Sequence, residues 1–139
     1  MGSHIELAKR TALYSPCRHR VGAVIAAGPR VLATRSNSRR NSPRVDFHHA
    51  TFHAEEAAVR RVRNPAGTVI YVARVNAAGE PVMARPCERC QRLLAAVGIV
   101  GAYFTTWDGS VDYLDIARSR RAPAVGRTGS ASPALRDRR

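Results

Sequence analysis

Two short stretches of this chain carry residues suited to chemistry: His53-Ala54-Glu55 and Pro86-Cys87-Glu88-Arg89-Cys90. One histidine and two cysteines make three ligands for a zinc ion, and a three-ligand site keeps the fourth tetrahedral position for water, as catalytic zinc does and structural zinc does not. Zinc lowers the pKa of its water to about 7, so hydroxide is available at neutral pH. Glu55, two residues from the histidine, is the carboxylate placed to carry that water's proton. Cys87 and Cys90 are three apart and share one helix face. The first turn of a helix has unpaired N–H groups and a partial positive charge, which favour the thiolates that zinc needs. His53 and Glu55 do not share a face in mid-helix, but in a first turn they converge on a metal lying off the helix end.

Either half alone has other uses. Cys87-x-x-Cys90 fits a redox dithiol, a reading that leaves His53 and Glu55 unexplained. A non-catalytic zinc module needs a fourth protein ligand, for which Cys17 and His49 are the loose candidates. His49 and His53 have H-x-x-x-H spacing, but no glutamate lies between them. Among neighbouring residues, Phe52 and Trp107 suit either stacking on a base or core packing, and His19 suits a strand end. His48 and His49 suit a loop at the site mouth. Arg39, Arg40 and Arg44 suit a phosphate or a solvated loop, and Glu56 with Arg60 has i,i+4 spacing.

The elements that must position these residues follow from pattern and punctuation. An imperfect apolar stripe predicts a helix over 4–14, stopped by Pro16. Val21–Ala26 and Val31–Thr34, joined by Ala27-Gly28-Pro29, read as an antiparallel strand pair. A polar loop covers Ser36–Pro43. Thr51 is placed to cap a helix over about 52–63, ended by Asn64-Pro65-Ala66-Gly67. Thr68–Ala73 is a third strand, and Asn76–Glu80 is a turn. Pro86 opens a helix over about 87–97, closed by Gly98. Gly101–Thr106 is a fourth strand. Asp108-Gly109 signals a hairpin into a fifth, Val111–Ile116, antiparallel to the fourth; the rival reading is a helix over 110–120.

With 139 residues the chain has length for one domain with a real core. The expected division is a domain carrying the zinc site over 1–117 and a basic, disordered tail over 118–139, where Arg, Ser, Pro, Ala and Gly mix without periodicity. The net charge of +13 is uneven: +7 over 1–52 (9 Lys/Arg, 2 Asp/Glu), 0 over 53–117 (7 and 7) and +6 over 118–139 (7 and 1). Such an excess suits nucleic acid or nucleotide phosphates. With Lys9 the one lysine beside 22 arginines, it equally suits the coding bias of a GC-rich genome. Three cysteines, two of them metal ligands, predict reduced thiols and a cytoplasmic setting. No apolar run has membrane-spanning length and no secretory signal is evident, so no membrane partner is expected.

Taken together, in this order and about thirty residues apart, the motifs read H-x-E…P-C-x-x-C, the pattern of zinc deaminases acting on nucleobases. The chain resembles the cytidine/deoxycytidylate deaminase superfamily over about residues 4–117. The resemblance rests on Val21-Gly22-Ala23-Val24-Ile25, Asn37, His53-Ala54-Glu55 and Pro86-Cys87-Glu88-Arg89-Cys90. It implies a three-layer α/β/α fold with a mixed sheet of about five strands, a homo-oligomeric hydrolase, and Zn2+ as cofactor. It implies that Asn37 contacts the sugar and that backbone groups of Ala54 and Pro86 bind the base. His53 in place of cysteine points to the deoxycytidylate and tRNA-adenosine branches, whereas Glu56-Ala57-Ala58 lacks the asparagine that many deoxycytidylate deaminases carry there, the stretch from Asn37 to His53 is longer than in the tRNA-editing enzymes, and the Asp108-Gly109 hairpin leans away from both. The expected activity is hydrolytic deamination of a cytosine-containing nucleoside or nucleotide, a step of nucleotide metabolism that releases ammonia. Water attacks C4; Glu55 takes the water's proton, delivers it to N3, and then protonates the leaving nitrogen. The alternative is cytosine or adenine in single-stranded DNA or RNA, which the Arg-rich loop over 35–44 and the Arg-rich tail would serve.

Overall fold

The structure, a computed structural model, describes residues 3–39 and 51–121. Helix α1, His4–Ala12, starts where the Ser3 hydroxyl accepts the Glu6 N–H at 3.2 Å. Strands β1, Arg20–Ala27, and β2, Arg30–Ser36, form the expected antiparallel pair, turning at Gly28 with φ 59°. Two short strands follow, β3 at Ser38–Arg39 and β4 at Thr51–Phe52, and pair with each other. Then come α2, Ala54–Val59; β5, Val69–Val75; β6, Pro81–Val82; α3, Glu88–Ala96; β7, Gly101–Thr105; β8, Val111–Asp115; and α4, Ile116–Arg121.

The main sheet runs β2-β1-β5-β7-β8, with β6 on the end of β5. The β5–β7 pair is parallel and the other described pairs are antiparallel, so the sheet is mixed. A parallel pair needs a crossover, and α3 is that crossover. It brings the N-terminus of α3 to the sheet end where β5 finishes.

Alternation along the strands separates two faces. Val24 and Ala73 pack on Ala8 of α1. Ala23, Ile25, Ile70, Val72, Ala102 and Phe104 point the other way, onto Ala54 and Ala58 of α2, Leu94 of α3, Ile99, and Ile116 of α4. Three layers result, as expected, with the larger core under the helices that carry the two motifs. Gly22 seats α1: a Cβ there would collide with the backbone of Ala8 and Ala12.

Several elements differ from expectation. The second helix is shorter than 52–63, because Thr51 and Phe52 are extended against Ser38 and Arg39; His53, not Thr51, is its N-cap. The first helix ends at Ala12 with Leu13 as its cap, ahead of Pro16. After the Asn76–Glu80 turn the chain returns along β5 as β6, which lacks the length for a periodic signal. The region 110–120 is first strand and then helix. Asp108 holds the β7–β8 hairpin by accepting from the Thr106 and Ser110 hydroxyls and the Ser110 N–H, while Gly109 takes φ 85°. Helix α4 then carries the chain across residue 118. Residues 122–139 of the expected tail lie outside the described residues, and so do Arg40, Arg44, His48, His49 and the side chains of Arg39 and Phe52. No helix among the described residues is long and apolar enough to cross a membrane.

Candidate metal centre and active site

The ligand-bearing residues sit at the mouths of two helices. His53 caps α2 with an extended backbone, φ −62° and ψ 143°. Cys87 caps α3, and its sulfur accepts the Cys90 N–H at 3.5 Å. Glu55 lies in the first turn of α2. Because α2 and α3 pack on the same sheet face, their N-termini meet.

His53 Nδ1 stands 3.2 Å from Cys90 Sγ and 4.0 Å from Cys87 Sγ. All three donor atoms lie within 4.8 Å of one another. Donors around a tetrahedral zinc ion with bonds of about 2.0–2.3 Å stand about 3.5–3.8 Å apart. The observed separations bracket that range, and one imidazole with two thiols is a zinc donor set, so the residues fit the metal. Cys90 is fully buried, His53 half-buried and Cys87 exposed, so the group opens to solvent on the Cys87 side. Cys17, the described candidate for a fourth ligand, is buried with its N–H on the Ser15 hydroxyl and is not part of the group.

The electrostatics of the metal-free site follow from these contacts. Hydrogen bonds from Cys90 and from His53 hold the Cys87 thiol down to about 3, against the opposing pull of burial. Cys90 is pushed far up, because its proton bonds to the Cys87 sulfur and its site is buried. His53 is raised, chiefly by its bond to Cys87, with burial opposing. The site is therefore one thiolate with two protons held around it. Glu55 is 6% exposed, and burial raises its carboxyl above the ordinary range; its own backbone N–H and His53 pull partly the other way. A buried carboxyl with raised proton affinity beside a three-donor metal group can hold and hand on a proton.

The expected substrate residues are placed differently. Ala54 is fully buried at the first position of α2, where its N–H has no acceptor within the helix. Pro86 is buried, and its carbonyl accepts Gln91 Nε2 at 2.8 Å. Asn37 is buried and stitches the start of β1: Oδ1 accepts the Val21 N–H at 2.9 Å and Nδ2 donates to the His19 carbonyl at 2.6 Å. One Nδ2 proton and one lone pair remain for a ligand. His19 sits beside that strand start with Nδ1 2.8 Å from Arg74. Trp107 is 69% exposed on the β7–β8 turn, which excludes the core role. Sequence reasoning gave Glu56 to Arg60 and did not foresee its fork with Arg89 across the two helices. The available signal was opposite charge one residue beyond Glu55 and one residue before Cys90.

Fold and donor set together define a zinc-dependent deaminase class. The family profile of the cytidine and deoxycytidylate deaminase zinc-binding region matches residues 2–106, and the chain belongs to that family. Among solved structures, the cytidine deaminase of Burkholderia pseudomallei superposes with a TM-score of 0.64 at 18% identity, over 85% of this chain and 95% of that one. The apo dCMP deaminase of the cyanophage S-TIM5 gives 0.59 at 19% identity, over 75% and 80%. The cytidine deaminase of Mycobacterium leprae gives 0.54 at 21%, over 83% and 92%. At these identities the likeness is one of fold. No curated protein sequence matches the chain.

Proposed function

We propose that this protein deaminates a cytosine-containing nucleoside or nucleotide by hydrolysis, with Glu55 as the proton carrier and His53, Cys87 and Cys90 as the zinc ligands. The observation that carries the reading is a buried, proton-avid carboxyl at Glu55 in the same helix turn that presents His53 to the two thiols. Bound zinc supplies Lewis acidity that makes water a nucleophile at neutral pH. Glu55 would take one proton of that water and pass it to N3 of the base as C4 is attacked, then take the proton of the new C4 hydroxyl and deliver it to the amino nitrogen, which leaves as ammonia as the C4 carbonyl forms. Its burial suits this work, because the group must carry a proton in mid-reaction without losing it to solvent. The Ala54 N–H and the Pro86 carbonyl are the backbone groups that orient the base, the carbonyl being fixed by Gln91. Asn37, held by the start of β1, offers its remaining N–H to the sugar.

A small substrate is supported by the zero net charge of residues 53–117 and by the fold likeness to cytidine and dCMP deaminases. The cyanophage dCMP deaminase has also been solved with dCMP and dUMP. Three free thiols support a reducing, cytoplasmic setting. Ammonia release from cytidine, deoxycytidine, their monophosphates, adenosine and short single strands tests the substrate class. The reading predicts turnover of one or more free cytosine compounds with a shallow salt dependence. Turnover of single strands alone, weakening steeply with salt, would contradict it.

A further inference from the structure

The zinc ligands are divided between two helices, so the metal's bite depends on how far apart α2 and α3 stand. Packing holds α2 mostly through small side chains, Ala54 and Ala58, with Val59 against the core and Glu55 buried beside them. A polar contact joins the helices directly beside the ligands. Arg89 Nη2 donates to Glu56 Oε1 at 2.8 Å, and Arg89 Nη1 donates to Glu56 Oε2 at 3.2 Å. Glu56 follows Glu55 and lies three residues after His53; Arg89 lies between Cys87 and Cys90. The glutamate side chain keeps 13% of its exposure and the arginine 46%.

We propose that Glu56 and Arg89 are positioning residues for the metal: their two-pronged pair fixes the separation of the helix mouths and thereby the spacing of His53 from Cys87 and Cys90. A guanidinium fork on a carboxylate sets distance and plane together, which a single ammonium contact does not. A carboxylate this covered also tolerates poorly the loss of a guanidinium partner, since its charge stays behind. Groups that orient metal ligands contribute about 10–100-fold to metal affinity, and this pair acts on both helices at once.

The test measures the zinc dissociation constant by chelator competition, the absorption of the Co2+-substituted protein, and thermal unfolding of the metal-free protein. Arg89→Ala should weaken zinc binding about 10–100-fold and shift the Co2+–thiolate bands. Arg89→Lys, which keeps the charge and loses the fork, should recover little. Glu56→Ala added to Arg89→Ala should cost less than Glu56→Ala costs by itself, because the pair is already broken. Glu56→Gln keeps the shape with one acceptor and carries the test if Arg89→Ala does not fold; it should weaken zinc by a smaller factor. Zinc affinity within twofold of wild type in Arg89→Ala or Glu56→Gln would overturn the proposal. So would full recovery in Arg89→Lys, which would make charge near the thiolates sufficient, or a loss confined to the unfolding temperature.

Discussion

The two helices that share the metal site are built in opposite ways. Helix α3 is nine residues long, and the Cys87 sulfur that caps it is also a metal ligand. It has an exposed Glu88–Arg92 pair along its side and Leu94 buried in the core. Helix α2 is six residues long, and its cap, His53, makes no side-chain cap bond. Both helices are shorter than the about 12–15 residues below which an isolated helix is marginal in water, but α2, shorter still and without a side-chain cap bond, depends more on what surrounds it. Its supports are the β3–β4 ribbon before it, alanine packing beneath it, the Arg89 fork beside it and the metal at its mouth. The half of the site that supplies two of the three donors is thus the better supported by its own helix. The half that carries the Glu55 carboxyl is assembled from outside, so occupancy of the metal and order in α2 should be coupled.

The strongest blow to this contrast is Cys90→Ala, which removes the buried ligand. Zinc binding and deamination should both vanish. Hydrogen exchange should then speed up across 54–59 while 88–96 keeps most of its protection. Removing zinc from the unaltered protein with a chelator should give the same asymmetry in milder form. Equal loosening of both helices would show that α3 leans on the metal as much as α2.

Acid should act through one proton on each helix. In the metal-free site His53 is raised and Cys90 is raised, so both must give up protons to the metal, whereas Cys87 at about 3 is already ionised. As pH is lowered towards the His53 pKa, zinc affinity should drop about tenfold per unit for the Cys90 proton, and below that pKa the drop should steepen towards two protons per unit. Chelator titrations between pH 5 and 8 check the break. A single constant slope would remove His53 from the account.

The smallest effect is expected at the exposed Glu88–Arg92 pair, with side chains 70% and 68% exposed. Arg92→Ala should change stability by no more than about 0.5 kcal/mol and leave zinc affinity alone, as thermal unfolding and chelator competition will show. Set beside Arg89→Ala, it separates a solvated ion pair on α3 from one that spans the site.

The same contrast governs what the sequence revealed. Pro86 and Gly98 bracket α3, and the ligands lie three residues apart on one turn, so its bounds and chemistry were legible from local signals. Asp108-Gly109 announced the β7–β8 hairpin for the same reason. The start of α2 was misplaced because the ribbon that sets it pairs Ser38 with Phe52, a contact that local pattern does not encode. Glu56 had a neighbour at i,i+4 in Arg60, which hid a partner 33 residues away. His53 and Glu55 were recognisable by type and spacing, but burial of the carboxyl is a product of packing against a sheet face and had no sequence signature of its own.

Glu55→Gln tests the central claim most directly, because it keeps the side chain's size and removes the proton carrier from α2 while leaving all three ligands in place. Zinc content and ammonia release should be measured on the same preparation, with whichever cytosine compound the wild-type protein turns over. The account predicts zinc near one per chain and turnover reduced by about 10²–10⁴-fold or more. Full zinc with near-normal turnover would contradict it.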